Sequence, residues 1–183
     1  LLYPVTDRPF RELYEIALAW PGERRAEVMD VALRSKARRD EMLREFRGGQ
    51  FNYDMLIDIG AYRDMHRHRR CHQYRQEFVW SHGWETPEVI RQAGLEPLYS
   101  SAMESARQVA GALPQPADQY LTPFGVRGRF LFKMDFAEAE YISKLRSGVK
   151  GHFSYREIAW RMKERMMELE PELGRLIDAT PPW

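Results

Sequence analysis

The alternation of side chains in residues 51–59 constrains the fold of this chain more than any other feature. Apolar residues stand there at every second position, as Phe51, Tyr53, Met55, Ile57 and Ile59. Because successive side chains of a strand point to opposite faces of a sheet, this period of two predicts a strand that is buried on one face. A glycine at position 60 then ends the strand.

Residues 60–73 are strongly basic, although they follow directly on a strand with a buried face. This segment carries four arginines, three of the five histidines and the single cysteine of the chain. They are Arg63, His66, Arg67, His68, Arg69, Arg70, Cys71 and His72. A helix that starts near Ala61 would place Arg63, Arg67 and Arg70 on one face.

An anionic ligand would account for such a cluster. The planar guanidinium of arginine offers several donors in a geometry that matches phosphate or carboxylate. A strand, a glycine and a helix in succession also bring backbone N–H groups and the positive end of the helix to the same place. We therefore predict an anion site in residues 60–73. The alternative is a helix face that is charged and solvated.

Helical periodicity predicts helices over much of the remaining chain. The segments are residues 8–20, a long run at 23–47, a short helix after residue 87, runs at 97–113, 136–145 and 154–171, and a last short helix. Asp135 with Glu138 and Ser154 with Glu157 are capping patterns at the starts of two of them. Residues 74–85 are typical of an irregular loop.

Residues 126–134 alternate again and predict a second strand. One side is apolar, whereas the other carries Arg127, Arg129 and Lys133. That basic side either lines the same anion site as residues 60–73 or pairs with the acidic residues that follow, which are Asp135, Glu138 and Glu140. The helical periodicity of residues 8–20 and 23–47 predicts an N-terminal helical segment in residues 1–50.

Composition narrows the class of protein. The 28 basic and 27 acidic residues give a net charge of +1, so general nucleic-acid binding is not expected. Binding of nucleic acid through the basic strand and helix alone is an alternative. A single cysteine excludes an internal disulfide and fits a reducing cytoplasm. No apolar run approaches the ~20 residues of a membrane span, and no signal peptide is evident. We expect a cytoplasmic protein without a membrane segment.

Two further interpretations concern the histidines and the cysteine. A metal site would use His66, His68, His72 and His82, but histidines two residues apart do not share a helix face, and only one cysteine is available. Cys71 could serve as a nucleophile, although a small, buried and inert residue is the better interpretation. We therefore predict no metal in the site.

A second cluster of polar and basic residues lies between the last two long predicted helices. It contains Arg146, Lys150, His152, Tyr155 and Arg156. Two such clusters, each at the boundary of an element, match the two ends of a phosphate-bearing ligand.

The order of the two clusters resembles that of a known family. The pattern consists of Arg67-His68-Arg69 and, much later in the chain, of Leu145-Arg146 followed by His152, Tyr155 and Ile158-Ala159. This pattern resembles the motifs of flavin-dependent thymidylate synthases. The resemblance covers residues 51–171. It implies a homotetramer that binds FAD and deoxyuridine monophosphate where subunits meet, and that forms dTMP with methylenetetrahydrofolate and NADPH.

The resemblance also implies an α+β fold, with a mixed small sheet flanked by helices and the N-terminal helical segment before it. It further implies roles for particular residues in a flavin- and nucleotide-binding domain over residues 51–183. The predicted cofactor-binding residues are Arg63, Arg67, His68 and Arg69. The predicted substrate-binding residues are Gln73, Arg146, His152, Tyr155 and Arg156.

The sequence departs from the family pattern at several positions. Asp64 replaces a glutamine, and the serine, glutamate, serine and arginine that cradle the nucleotide are replaced by His72, Arg75, Glu77 and Val79. A later glutamine and glutamate are replaced by Ser154 and Arg156. The pattern is typical of a divergent branch in which the domain also occurs in tandem. The alternative function is a degenerate domain that binds a flavin or nucleotide without catalysis, or that assembles with a catalytic partner.

Overall fold

A three-stranded antiparallel sheet lies at the centre of the computed structural model, which describes residues 1–182. Its strands are β1 (Phe51–Asp58), β2 (His72–Arg75) and β3 (Arg127–Met134), in the order β1-β3-β2. In the β1–β3 pair, Phe51 lies opposite Met134 and Asp58 lies opposite Arg127. The two strands predicted from alternation are confirmed.

Helices flank this sheet and precede it. They are α1 (Phe10–Ala19), α2 (Gly22–Leu33), α3 (Ile59–Met65), α4 (Glu88–Gln92), α5 (Glu96–Gly111), α6 (Phe136–Arg146), α7 (Phe153–Leu169) and α8 (Pro171–Gly174). The predicted α+β fold is therefore confirmed, and α1 and α2 form the predicted N-terminal helical segment. The domain boundary at residue 50 stays a prediction.

The core forms where α3, α6 and α7 pack against the apolar face of the sheet. Phe130 and Phe132 of the central strand are completely buried, and the Tyr62 ring stacks on Phe130 with 3.9 Å between ring centroids. Ile142 of α6 and Met166 of α7 close the other side of the same cluster. Burial of each large side chain stabilises the fold by about 1.5–3 kcal/mol.

The long helix predicted over residues 23–47 is wrong, because α2 ends at Leu33. Turns follow, in which the Lys36 N–H donates to the Leu33 carbonyl over 2.9 Å and the Asp40 carboxylate accepts from the Ala37 N–H over 2.8 Å. A short acidic side chain that binds nearby backbone competes with the helix in this way. The turns deliver Met42, which is only 4% exposed, into the core.

The predicted helix face of Arg63, Arg67 and Arg70 is also wrong, because α3 ends at Met65. The chain then turns twice: the His68 N–H donates to the Met65 carbonyl and the Cys71 N–H donates to the His68 carbonyl, each over 3.2 Å. These turns lead into β2, a strand of four residues that begins in the basic segment and ends in the segment predicted as irregular. Its sequence lacks apolar alternation, so only the pairing with β3 defines it.

The two capping predictions had different outcomes. Asp135 caps α6, since its Oδ1 accepts from the Glu138 N–H over 2.8 Å. Ser154 does not cap α7, because the helix begins one residue earlier and His152 Nδ1 accepts from the Ser154 N–H over 3.4 Å. The Ser154 hydroxyl instead contacts the carboxylate of Asp58, which caps α3.

The basic side of β3 follows neither of the predicted alternatives. Arg129 pairs with Asp54 on β1 at 3.1 Å, and Arg127 donates to the His82 carbonyl over 2.9 Å. The Lys133 ammonium lies 5.8 Å from the centroid of the Tyr74 ring on β2. Residues of the neighbouring strands therefore hold Arg129 and Lys133, and the turn at His82 holds Arg127.

Candidate functional site

A cavity of about 340 Å³ lies between the turns that follow α3 and one face of α6. The N-terminal segment closes a third side. The lining residues are Glu41, Met42, Arg47, Arg67, His68, Arg69, Arg70, Ala137, Glu138, Tyr141, Leu145 and Arg146. Arg67, Arg69 and Arg70 of the first cluster and the distant Arg146 thus lie in one cavity.

Side chains in the turns after α3 differ in how deeply they are buried. Arg67 and Arg69 are exposed, whereas His68 between them is only 6% exposed. The Gln73 side-chain amide stabilises this arrangement by donating to the carbonyls of His68 and Met65, over 3.2 and 3.4 Å. The backbone therefore presents two guanidinium groups outwards and one imidazole inwards.

His68 connects the turns to α6. Its Nε2 accepts a hydrogen bond from Arg146 Nε over 2.9 Å, and its Nδ1 lies 3.6 Å from Glu138 Oε1. The Tyr141 ring meets the imidazole edge to face, with 5.8 Å between centroids. Glu138, Tyr141 and Arg146 all belong to α6, so one helix holds the imidazole on three sides.

The charges of the cavity are not balanced. Arg70 pairs with Asp135 at 3.2 Å and with Glu138 at 3.6 Å. Within residues 1–182, by contrast, the guanidinium groups of Arg67 and Arg69 make no hydrogen bond and no ion pair. The cavity therefore presents free guanidinium donors, which are suited to an anion.

The other predicted site residues do not line this cavity. The Tyr155 ring lies 5.5 Å from Arg146 Cζ, and the Arg63 guanidinium lies 4.9 Å from the Phe124 ring. His152 caps α7, as described above. Arg156 donates to the carbonyls of Ser147 and Pro181, each over 3.2 Å. Their roles in ligand binding stay predictions.

Several lining residues were not predicted from the sequence. Glu138 and Tyr141 lie three and six residues after the N-cap of α6, and both fall on the helix face that also bears Arg146. That spacing was the available signal, but it gains meaning only when His68 is known to face the helix. Met42 and Arg47 were assigned to a helix that does not extend so far.

The alternative chemistries find little support in the described residues. Within residues 1–182, no three His, Cys, Asp or Glu side chains lie together in a way that could hold a metal ion. Burial, with a contribution from Glu138, raises the pKa of the Cys71 thiol to about 12, so this thiol is a poor nucleophile at neutral pH. None of the helices in the same range is both long and apolar enough to cross a membrane.

Comparison with known proteins gives one family and several relatives. A family model described as thymidylate synthase complementing protein matches residues 14–172. The chain is 30% identical over 175 residues to a UPF0159 protein of Chlamydia muridarum and 29% identical over 175 residues to one of Chlamydia pneumoniae. It is 29% identical over 182 residues to a UPF0159 protein of Thermoplasma acidophilum.

These relatives are much longer than the chain. The alignments cover 93%, 93% and 97% of this chain, but only 33%, 33% and 36% of the three relatives. The chain thus spans about a third of the length of the curated relatives it matches.

Proposed function

The chain belongs to the thymidylate synthase complementing protein family, and on that premise we propose that it is a flavin-dependent enzyme of thymidylate synthase type. The membership confirms the resemblance drawn from Arg67-His68-Arg69 and Leu145-Arg146. The proposed reaction is the reductive methylation of a uracil nucleotide, dUMP to dTMP, with methylenetetrahydrofolate and NADPH. Such a reaction belongs in the cytoplasm.

The observation that carries this proposal is the convergence of Arg67, Arg69 and Arg146 in one cavity. Arg67 and Arg69 lack protein partners within residues 1–182, and the two Nη groups of Arg146 have none there either. Three fork-shaped donors fit a diphosphate or a nucleotide phosphate, which FAD and dUMP respectively carry. The donor set therefore fits the phosphate-bearing parts of the proposed ligands.

The small size of the cavity supports a ligand site that is completed by a second protein surface. About 340 Å³ is at the small end of the range for ligand pockets, of roughly 300–1,000 Å³. It holds the phosphate-bearing end of FAD, and a second surface is needed to cover the rest. We propose that a second copy of this chain, in a homotetramer, or a tandem domain of the same family supplies that surface.

The residues of this chain bind and orient in the proposed mechanism. Bound FAD supplies the hydride chemistry, and the side chains around it position the reacting groups. Arg67 and Arg69 neutralise phosphate charge at the mouth of the cavity. Arg146, held at Nε by His68, presents its Nη donors to the second ligand. Gln73 stabilises the turn through its hydrogen bonds to the backbone, and the Tyr155 ring packs against the guanidinium of Arg146.

A second candidate function is a domain that binds the ligands without catalysis. Two observations favour it: His72, Arg75 and Glu77 stand where the family places its nucleotide contacts, and the chain spans about a third of its relatives. In this case a catalytic partner or another domain completes the active site.

FAD binding tests the shared part of both functions. We expect purified protein to be yellow, or to quench the fluorescence of added FAD on binding, and the double variant Arg67→Ala/Arg69→Ala to bind at least tenfold more weakly, because each charged hydrogen bond contributes about 1.5–3 kcal/mol. Arg11→Ala, which removes a 90% exposed guanidinium on α1, is the matched control. Colourless protein that takes up no FAD would contradict the proposal.

Complementation then separates the two functions. If the chain is an enzyme by itself, it restores growth of a thymidine-requiring strain, and Arg146→Ala abolishes this rescue. If the chain binds FAD but gives no rescue, the non-catalytic function is favoured.

A further inference from the structure

The carboxylate of Glu138 is buried in the wall of the cavity and has no role in the function proposed above. Glu138 is only 3% exposed, and it lies in the first turn of α6. A buried carboxylate is costly unless opposite charges and hydrogen-bond donors surround it. Here the positive end of α6, Arg70 at 3.6 Å and the imidazole of His68 at 3.6 Å provide that environment.

Arg146 and Glu138 favour different protonation of the two ring nitrogens of His68. Arg146 always carries its protons, so the hydrogen bond from its Nε requires an unprotonated Nε2 on His68. On the other side, Nδ1 faces the Glu138 carboxylate and makes no hydrogen bond to any other described residue. A lone pair facing a carboxylate is repulsive, whereas an N–H is attractive. Together the neighbours favour a single proton, on Nδ1.

The free imidazole side chain prefers the other arrangement, with its proton on Nε2. That form would point an N–H at the Nε–H of Arg146 and break the contact between them. Glu138 therefore offsets an intrinsic preference that works against Arg146. Glu138 in the first turn of α6 thus affects Arg146, the last residue of the same helix, through the tautomer of His68.

We propose that Glu138 is a positioning residue, which fixes the Nδ1–H tautomer of His68 so that His68 Nε2 orients the guanidinium of Arg146. The proposal rests on the proposed function only in taking Arg146 as a ligand-binding residue. It assigns a carboxylate to a site that otherwise recognises anions through arginines. The negative charge of Glu138 weakens the attraction of the cavity for an anion. In return, Glu138 fixes the direction in which the Arg146 guanidinium donates its hydrogen bonds.

Two substitutions separate the charge of Glu138 from the oxygen that faces His68 Nδ1. Glu138→Ala removes both, whereas Glu138→Gln removes the charge and keeps an oxygen, whose partial negative charge still favours Nδ1–H. Glu41→Ala is the matched control, because it removes a carboxylate that lines the same cavity and pairs with Arg47 instead of His68. Thermal unfolding of each variant establishes that it is folded.

Nitrogen-15 NMR of the histidine side chains reads the tautomer without any ligand. The His68 signals are assigned by their loss in His68→Gln. We expect the Nδ1–H form in the wild-type protein, in Glu138→Gln and in Glu41→Ala, and a mixture of forms in Glu138→Ala. Hydrogen exchange at Arg146 Nε–H should be about tenfold faster in Glu138→Ala, the effect of losing one hydrogen bond of about 1.4 kcal/mol.

Binding of inorganic pyrophosphate, measured by calorimetry, gives the functional consequence. We expect Glu138→Ala to bind pyrophosphate about tenfold more weakly than the wild type, although it has lost a negative charge, and Glu138→Gln to bind it at least as tightly as the wild type.

A wild-type tautomer of His68 and a wild-type rate of Arg146 Nε–H exchange in Glu138→Ala would overturn the proposal. If Glu138→Ala does not fold, a mixed tautomer in Glu138→Leu supports the proposal and a wild-type tautomer overturns it. Absence of pyrophosphate binding by the wild-type protein counts against the proposed function instead, and the two NMR measurements still decide the role of Glu138.

Discussion

Arg146 donates a hydrogen bond from Nε to His68 Nε2 over 2.9 Å, across a separation of 78 positions in the sequence. This contact joins the turns after α3 to the last residue of α6. It leaves both Nη groups of Arg146 without a partner in the described part of the chain. A single side-chain contact thus connects the two basic clusters.

The first prediction concerns the geometry of Arg146. We expect Arg146→Lys to weaken FAD or nucleotide binding by about tenfold or more, because lysine keeps the charge but lacks the Nε donor and the planar fork. Arg161→Lys, at a 65% exposed side chain of α7, should bind like the wild type. Fluorescence titration measures both affinities. Equal binding by the two variants would show that charge alone is needed at position 146.

The second prediction concerns Glu140, a carboxylate inside the fold that is not part of the cavity. Its side chain is 1% exposed and lies 2.9 Å from Lys144 and 3.7 Å from Lys36. Glu140→Ala should lower the free energy of unfolding by about 3–5 kcal/mol, because it leaves two lysines without their partner in a buried place.

A surface ion pair provides the control for Glu140. Glu157→Ala breaks the exposed pair with Arg161 and should cost only about 0–1 kcal/mol. Urea unfolding measures both variants. A small effect of Glu140→Ala would mean that the lysines reach solvent once the carboxylate is gone.

The third prediction concerns the centre of the core. Phe132→Ala should destabilise the protein by about 3–5 kcal/mol, because it deletes a fully buried ring from the central strand and leaves a cavity. Phe10→Ala, at a ring that is 69% exposed, should change stability by no more than about 0.5 kcal/mol. Chemical denaturation gives the two values, and similar losses would contradict the assignment of the core.

The fourth prediction concerns the reactivity of Cys71. Burial raises the pKa of its thiol from 9.0 to about 12, so the thiolate fraction at pH 8 is roughly a thousandfold lower than in the unfolded chain. We expect a thiol reagent to modify the native protein very slowly and the urea-unfolded protein quickly. Rapid modification of the native protein would contradict the burial of this residue.

The same shift in pKa predicts how stability depends on pH. Because the folded-state pKa of Cys71 is raised, its contribution is present below pH 9.0 and is lost as the pH rises towards about 12. Cys71→Ala should therefore lose less stability than the wild type across this range. Unfolding measured at several alkaline pH values compares the two proteins.

The local sequence was sufficient for those elements whose pattern is complete within the element. Alternation predicted β1 and β3, because one face of each strand is buried and the pattern records it directly. Asp135 predicted the start of α6 in the same way, since a cap and its N–H lie within three residues. The motifs around Arg67 and Arg146 predicted the family through their order and spacing along the chain.

Tertiary contacts decided the elements whose pattern is weak or misleading. The four residues of β2 carry no alternation, and pairing with β3 makes them a strand. The charged residues after Leu33 have good helix propensity, but burial of Met42 in the core requires the chain to turn there. Both errors arose because long-range packing outweighs local preference.

The sequence by itself determined which chemical groups this protein carries, the α+β fold and the family. Only the tertiary structure decided how those groups meet: Arg67 and Arg69 lie exposed on a turn instead of a helix face, and Glu138, His68 and Arg146 form a chain of contacts. The physical reason is that a hydrogen bond between residues 78 positions apart depends on how α6 packs against the turns after α3. No local pattern in the sequence encodes that packing.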